Sequence, residues 1–287
     1  MPSKGEHLPK HETVALDAVR ECLERSGYLL ESSLVRALSE KGYFVEPNQV
    51  VRDPRTGKSR EIDLIAKYYN WQPTQRGVAV KTYFVVEIVN NRFPFILLTQ
   101  RPSTPNEDFE SHVKFICTPE PNEFYKHFDL YEDRSPERSR LFSQYCVLTP
   151  KKSENKELMA SHPDDLYSSF QKLAEYTEDE VDSWLGRNNP AEDKHWRIFF
   201  WNPMLVLGGQ LVVASTREDG TTELRDASAG FLEFNWHAGE ERRTTVVEVV
   251  TVEAFFERLD AIVEADSQLQ GRLHALYAQQ APGENGI

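Results

Sequence analysis

Apolar residues recur every three or four positions in four stretches of the chain, and each stretch predicts a helix. "HETVALDAVRECLERSG" carries Val14, Ala15, Ala18, Val19 and Leu23 near helical spacing and stops at Gly27. "YLLESSLVRALSEKGY" sets Leu30, Leu34, Val35 and Leu38 on one face and stops at Gly42. Glu31 lies one turn before Val35, so it can lean over the buried side near the helix start. "HPDDLYSSFQKLAEYTEDEVDSWLG" enters through Pro163, Asp164 and Asp165 and closes at Gly186. "VEAFFERLDAIVEADSQL" is a fourth, amphipathic helix.

Elsewhere the apolar residues alternate or run together, the signature of strands. "YFVEPNQVVRD" and "REIDLIAKYY" read as two strands joined through the turn-rich "DPRTGKS". "VKTYFVVEIVN" is a third strand; "FILLTQ", "VKFICTP" and "SQYCVLTPK" are shorter candidates. "HWRIFFWNPMLVLGGQLVVAS" predicts buried strand on both sides of a Gly208-Gly209 hairpin turn, and "FLEFNW" and "TTVVEVVT" add two more strands. Helix, three strands, a long helical crossover and further strands make an α/β plan with a central mixed sheet flanked by helices. "APGENGI" reads as a frayed tail. No repeat or long low-complexity segment interrupts the pattern.

Composition places this plan in an ordinary globular chain: 287 residues, 39% hydrophobic and 28% charged. No apolar run reaches the length that spans a bilayer, and the N-terminus lacks the apolar centre of a secretory signal. The expectation is no membrane partner. Cys22, Cys117 and Cys146 are odd in number and widely spaced, which fits neither a disulfide framework nor a zinc knuckle. The default is therefore three buried thiols in a reducing cytoplasm. The net charge of −13 argues against a nucleic-acid partner until its distribution is counted. Residues 1–101 hold 15 Lys/Arg and 12 Asp/Glu, hence +3, and residues 102–287 hold 18 and 34, hence −16. A nucleic acid can approach the N-terminal half; the acidic later half suits a protein partner.

Two acids interrupt apolar strands. Asp63 lies in "REIDLIA", on a face with Glu61 and Ile65, and Glu87 lies in "VVEIVNN", on a face with Val85 and Val89. If the strands are neighbours, both carboxylates converge on one point at the sheet rim. Glu31 can supply a third acid from the preceding helix. Oxygen ligands from separate elements, joined by a free backbone carbonyl, suit a hard divalent cation such as Mg²⁺.

"LLESSLVRALSEKGYFVEPNQVVRDPRTGKSREIDLIA…YFVVEIVNNRFP" resembles the PD-(D/E)XK nuclease superfamily, whose fold is called restriction-endonuclease-like. There, a helix glutamate precedes a hairpin that ends in an aspartate, and the next strand carries Glu-x-Lys. The resemblance covers residues 28–95 or so. It implies Glu31, Asp63 and Glu87 as catalytic acids, with Asp63, Glu87 and the backbone carbonyl of Ile88 as ligands of Mg²⁺. Val89 stands where the pattern has lysine, which orients the attacking water and offsets the charge of the transition state. The implied function is metal-dependent phosphodiester hydrolysis of DNA or another nucleic acid, with a degenerate active site in which catalysis is impaired or lost. Lys81, Lys67, Arg92 and Lys114 are the candidate replacements for the lysine. The first two lie ~20 Å and ~13 Å along their strands from the acids, and the last two cannot be placed from sequence.

Three units follow: an N-terminal helical segment (1–27), a restriction-endonuclease-like core (28–150), and an acidic α/β extension (151–287). The extension would complete the sheet with further strands and a helix, packed as one unit with the core. The alternative function is a non-catalytic interaction or scaffold module built on the same fold. Plain readings stand beside the chemical ones. Asp63 and Glu87 can ion-pair with Arg60, Lys81 or another base, and Glu31 can be a solvated helix acid. Asn90 and Asn91 suit a turn. His7 and His11 are the one close histidine pair, in a tail-like segment. Trp196, Phe199, Phe200 and Trp201 suit the core, and "TEDEVDSW" the solvated face of its helix.

Overall fold

A computed structural model describes residues 13–52, 57, 59–70, 77–102, 113–118, 140–151, 157–187, 196–217 and 219–280. His7, His11 and residues 281–287 lie outside these, as does most of the "DPRTGKS" loop. Two helices come first among the described residues, α1 (Leu16–Ser26) and α2 (Tyr28–Glu40). Three strands follow, β1 (Phe44–Arg52), β2 (Ser59–Tyr69) and β3 (Val78–Val89). After β4 (Phe95–Pro102), β5 (Lys114–Thr118), β6 (Arg140–Pro150) and the short β7 (Leu158–Ser161) comes the long helix α3 (Asp164–Arg187). The rest is β8 (Trp196–Leu207), β9 (Leu211–Thr216), β10 (Thr222–Ala227), β11 (Ala229–Ala238), β12 (Glu241–Thr251) and α4 (Val252–Gln280). No helix among the described residues is long and apolar enough to cross a membrane.

The twelve strands among the described residues join one mixed sheet, in the order β1-β2-β3-β8-β12-β11-β6-β4-β9-β10, with β5 and β7 paired beside β8 and β6. β1, β2 and β3 are successive antiparallel neighbours, and β8 lies parallel to β3 along its whole length. The far edge of β8 is shared: β5 pairs with its first half and β12 with its last residues. The later strands β8, β12 and β11 therefore lie between β3 and β6, in the interior of the sheet.

Each face of this sheet has its own helices, as the alternation of β3 requires. Phe84 and Val86 point to the side covered by α2 and α4, packing with Leu34, Leu38, Phe255 and Leu259. Val85 and Val89 point to the other side, where α3 packs Leu166, Phe170 and Leu173 against residues from eight other strands. The inner cluster reaches from Ile62 on β2 to Val213 on β9, so the two halves of the sheet meet on α3.

Several local expectations need correction. Gly208 and Gly209 do not make a hairpin: β8 and β9 do not pair with each other, since β8 joins β3 and β12 while β9 joins β4 and β10. The glycines pack instead on the turn after β3. Gly208 N–H donates to the Val89 carbonyl at 2.8 Å and Gly209 N–H to Asn91 Oδ1 at 2.9 Å. A Cβ on Gly209 would stand 2.2 Å from the Asn91 carbonyl oxygen, so only glycine fits. Cys117 and Cys146 are buried, but Cys22 is exposed on α1, which buries no residue at all. α4 runs eleven residues beyond Leu269, where its predicted pattern ended. The acidic run of α3 is only partly solvated: Glu178 pairs with Lys114 at 2.5 Å and the Thr177 side chain is buried.

Candidate functional site

The ladder between β2 and β3 ends at the pair Leu64–Val86. One step further, in the same register, stand Asp63 and Glu87. The side chain of Glu87 follows Val85 to the inner face, and Asp63 follows Ile65 to the same one. A local irregularity on the neighbouring strand marks this point: Asn48, opposite Asp63, has φ of +50° and drops out of the β1–β2 pairing, while the register is the same on either side of it. Past Leu64 the backbones no longer bond. Asp63 fills the gap, its Oδ2 accepting the Ile88 N–H at 2.7 Å. In an extended strand a residue's N–H and C=O face the same edge. The Ile88 carbonyl therefore faces this gap, while the next carbonyl, Val89, is taken by Gly208 and Asn91. The two asparagines are turn residues, as expected, and also clamps. Asn90 Nδ2 closes the end of α1 through the Glu24 carbonyl at 2.6 Å, and Asn91 bonds Phe93, Gly209 and Gln210.

Glu87 is 2% exposed. Its ion-pair partner is neither Arg60 nor Lys81. Arg60 pairs with Glu175, Lys81 lies over the rings of Tyr69 and Phe199, Lys67 pairs with Glu46, and Lys114 with Glu178. The partner is Lys172 of α3, whose Nζ donates to Glu87 Oε2 and, at 3.0 Å, to the Glu61 carbonyl. Lysine carries three N–H donors, so one remains without a partner among the described residues. The second oxygen of Glu87, Oε1, is buried with no hydrogen-bond partner among them.

The charges do not balance. Burial, then the Asp63 charge, pushes the Glu87 carboxyl up to about 7, against the opposing pull of Lys172 and of the Ser169 hydroxyl, which lies near the carboxylate but outside hydrogen-bond geometry with Oε1. Burial also raises Asp63, opposed by the Ile88 N–H and by Lys172. Glu31, at the start of α2, is raised by burial and by the charge of Asp63, and lowered by Lys172. All three expected acids thus feel one another or the same lysine, and one ammonium serves three carboxylates. Glu31 stands at the margin: among the described residues, no group of three or more His, Cys, Asp or Glu is spaced to hold a metal ion. The donors gathered at the rim are the Asp63 and Glu87 carboxylates and the Ile88 carbonyl.

Sequence reasoning missed Lys172. Its helix neighbours Leu173 and Phe170 are fully buried, so Lys172 borders the apolar stripe of α3, on the flank that meets β2 and β3. A lysine at the margin of the buried face of the crossover helix was the signal that could have found it. Comparisons with protein-family models, with curated proteins and with solved structures return no match.

Proposed function

We propose that this chain is a metal-dependent nuclease of the PD-(D/E)XK kind in which Lys172, borne by α3, takes the part that Val89 cannot. The carrying observation is the Lys172–Glu87 contact, beside a Glu87 oxygen that is buried and unpartnered. A buried carboxylate oxygen without a donor is costly, and a divalent cation is one partner that would offset the cost. The succession α2, β1, β2, β3, then α3 and β8 after the intervening strands β4 to β7, with β2 antiparallel to its neighbours and β8 parallel to β3, favours a restriction-endonuclease-like core with an insertion. The donor set, two carboxylates and a carbonyl, fits a hard cation such as Mg²⁺.

When bound, such a cation supplies Lewis acidity toward a phosphoryl oxygen and the attacking water. Asp63 and Glu87 hold it, each from one of the two strands that part beyond Leu64. Lys172 is anchored by Glu87 and the Glu61 carbonyl, and its remaining N–H orients the water and offsets the negative charge that grows on the phosphoryl group. Glu31 adds negative potential from the helix side, its own carboxyl raised by burial and by the Asp63 charge. The route into the site is the rim of the sheet at the C-terminal end of β3, since α3 covers the inner face.

A second reading has its own support: Lys172 and Glu87 are 18% and 3% exposed in their side chains, as expected of a structural ion pair in a non-catalytic scaffold. Assays with Mg²⁺ and Mn²⁺ on single- and double-stranded DNA and RNA separate the two. Cleavage that is lost in both Asp63→Ala and Lys172→Met supports the nuclease. No cleavage of any substrate, with a large loss of stability in Lys172→Met, supports the scaffold.

A further inference from the structure

Further along β2 and β3 from the acids, the inner face carries two rows in which aromatic rings alternate with ammonium groups. Pairing across the strands sets Phe44 of β1, Lys67 of β2, Tyr83 of β3 and Trp201 of β8 side by side in one row. Two residues on, Tyr69, Lys81 and Phe199 make the next. Lys67 stands two residues from Ile65 and Tyr83 two from Val85, so both rows point to the side of α3. The helix covers the β8 end of the rows, where Trp184 packs on Phe199 with ring centroids 5.1 Å apart. The β1–β2 end stays open: Phe44 is 60% exposed and Tyr69 51%.

The two ammonium groups are held differently. Lys67 Nζ lies 5.6 Å from the Phe44 centroid and 5.9 Å from that of Tyr83, and pairs with Glu46 at 2.7 Å. Lys81 Nζ lies 4.4 Å from the Tyr69 centroid and 5.0 Å from that of Phe199, with no carboxylate partner among the described residues. Its charge rests on ring faces alone. The acids felt at Tyr83, Glu46 and Glu180, do not pair with it. Tyr83 stacks on Trp201 at 5.1 Å and 8°, which stiffens the first row from behind.

An exposed ring beside an unneutralised ammonium suits a base next to its phosphate: stacking needs only a π-face, and the cation draws the backbone. The two rows are about 7 Å apart along the strands, whereas bases in a duplex stack at about 3.4 Å. Bases that meet both rings must therefore be unstacked already. We infer that these rows are a platform for single-stranded nucleic acid, with bases stacked on Phe44 and Tyr69 and the backbone drawn to Lys81. The first row lies four residues from Asp63 along β2, about 13 Å, so one bound strand can reach both; this link alone rests on the nuclease reading.

Anisotropy of a fluorescein-labelled oligothymidylate, with the full chain in EDTA, reads binding without cleavage. Wild type should bind it more tightly than a duplex of the same length, and more weakly as salt rises. Phe44→Ala and Tyr69→Ala, both at exposed positions, should each weaken binding roughly tenfold. Lys81→Gln should weaken it too and lower the slope of log Kd against log salt by about 0.7. Leu224→Ala, which trims an exposed apolar side chain on β10, is the control and should change nothing. Thermal melts check that every variant folds. No binding at low salt, binding unchanged in both ring variants, or equal displacement of the probe by polyglutamate overturns the platform. Binding weakened in the ring variants of a protein that cleaves no nucleic acid upholds the platform and removes only its link to the acids. Metal-dependent cleavage by a protein whose binding ignores both rings does the reverse.

Discussion

Asp63 takes the place of a backbone partner for Ile88: its Oδ2 accepts the Ile88 N–H at 2.7 Å where the β2–β3 ladder has stopped. One carboxylate thus holds the parted strands, and on the proposed reading it also serves the metal. The two duties separate by substitution. Asp63→Asn keeps an acceptor for Ile88 and should cost less than about 1 kcal/mol, whereas Asp63→Ala orphans the N–H at about 1–3 kcal/mol. Urea unfolding measures both. Cleavage should be lost in both alike, because neither keeps the charge; an active Asp63→Asn would remove Asp63 from the chemistry.

Lys172 and Val89 exchange roles in the next prediction. Both lie on the inner face beside Glu87, one from the helix and one two residues along the strand. Lys172→Met should lower cleavage by about 10²–10⁴-fold. Restoring an ammonium from the strand, in Lys172→Met with Val89→Lys, should recover part of that loss. Recovery by the double variant cannot come from a merely structural lysine, since the helix position stays apolar. If the double variant is as dead as the single one, the ammonium is not acting on the reaction at this point.

The face of each acid is legible in the sequence; their meeting is only conditionally so. Alternation along β3 by itself puts Glu87 with Val85 and Val89, and the inner cluster holds those two valines. Asp63 is harder, because Ile62 and Ile65 both reach that cluster, and alternation with Ile65 alone gives its face beside the irregular Asn48 of β1. Lys172 is out of reach for a different reason. Its contact with Glu87 joins a crossover helix to a strand, and no local period encodes which flank of α3 meets which strand. The Gly208-Gly209 error has the same origin. Adjacent strands usually pair, but here β8 is claimed by the parallel neighbours β3 and β12, pairings that leave no local mark.

Gly209 and Gly271 should respond to alanine in opposite ways. A Cβ on Gly209 meets the Asn91 carbonyl at 2.2 Å, a backbone atom that cannot yield without moving the turn after β3. Gly209→Ala should therefore cost about 1–3 kcal/mol and disturb cleavage, because Val89 and Ile88 lead into that turn. Gly271, inside α4, has nothing within 4 Å of the added carbon. Gly271→Ala should stabilise by roughly 0.5–1 kcal/mol through helix propensity and leave cleavage unchanged. Thermal melts of the pair decide both signs.

Glu87 sets a pH dependence whose sign can be worked out. Its carboxyl is raised from 4.5 to about 7 in the folded chain, so between those values the folded protein keeps a proton that the unfolded chain releases. Stability should fall as pH rises across that interval, by on the order of 3 kcal/mol in all, and the fall should be complete above about pH 7. Asp63 and Glu31 are raised too and add slopes of the same sign. Glu87→Gln should flatten the largest part of the decline in urea unfolding between about pH 4.5 and 7.5. A divalent cation favours the ionised carboxylates, so its binding should release protons and strengthen with pH. Mn²⁺ should accordingly raise the melting temperature more at about pH 8 than at about pH 6 in wild type, and little at either pH in Glu87→Gln. A melting temperature indifferent to millimolar Mn²⁺ at both values would leave the buried oxygen of Glu87 to some other partner and take the cation out of the proposal.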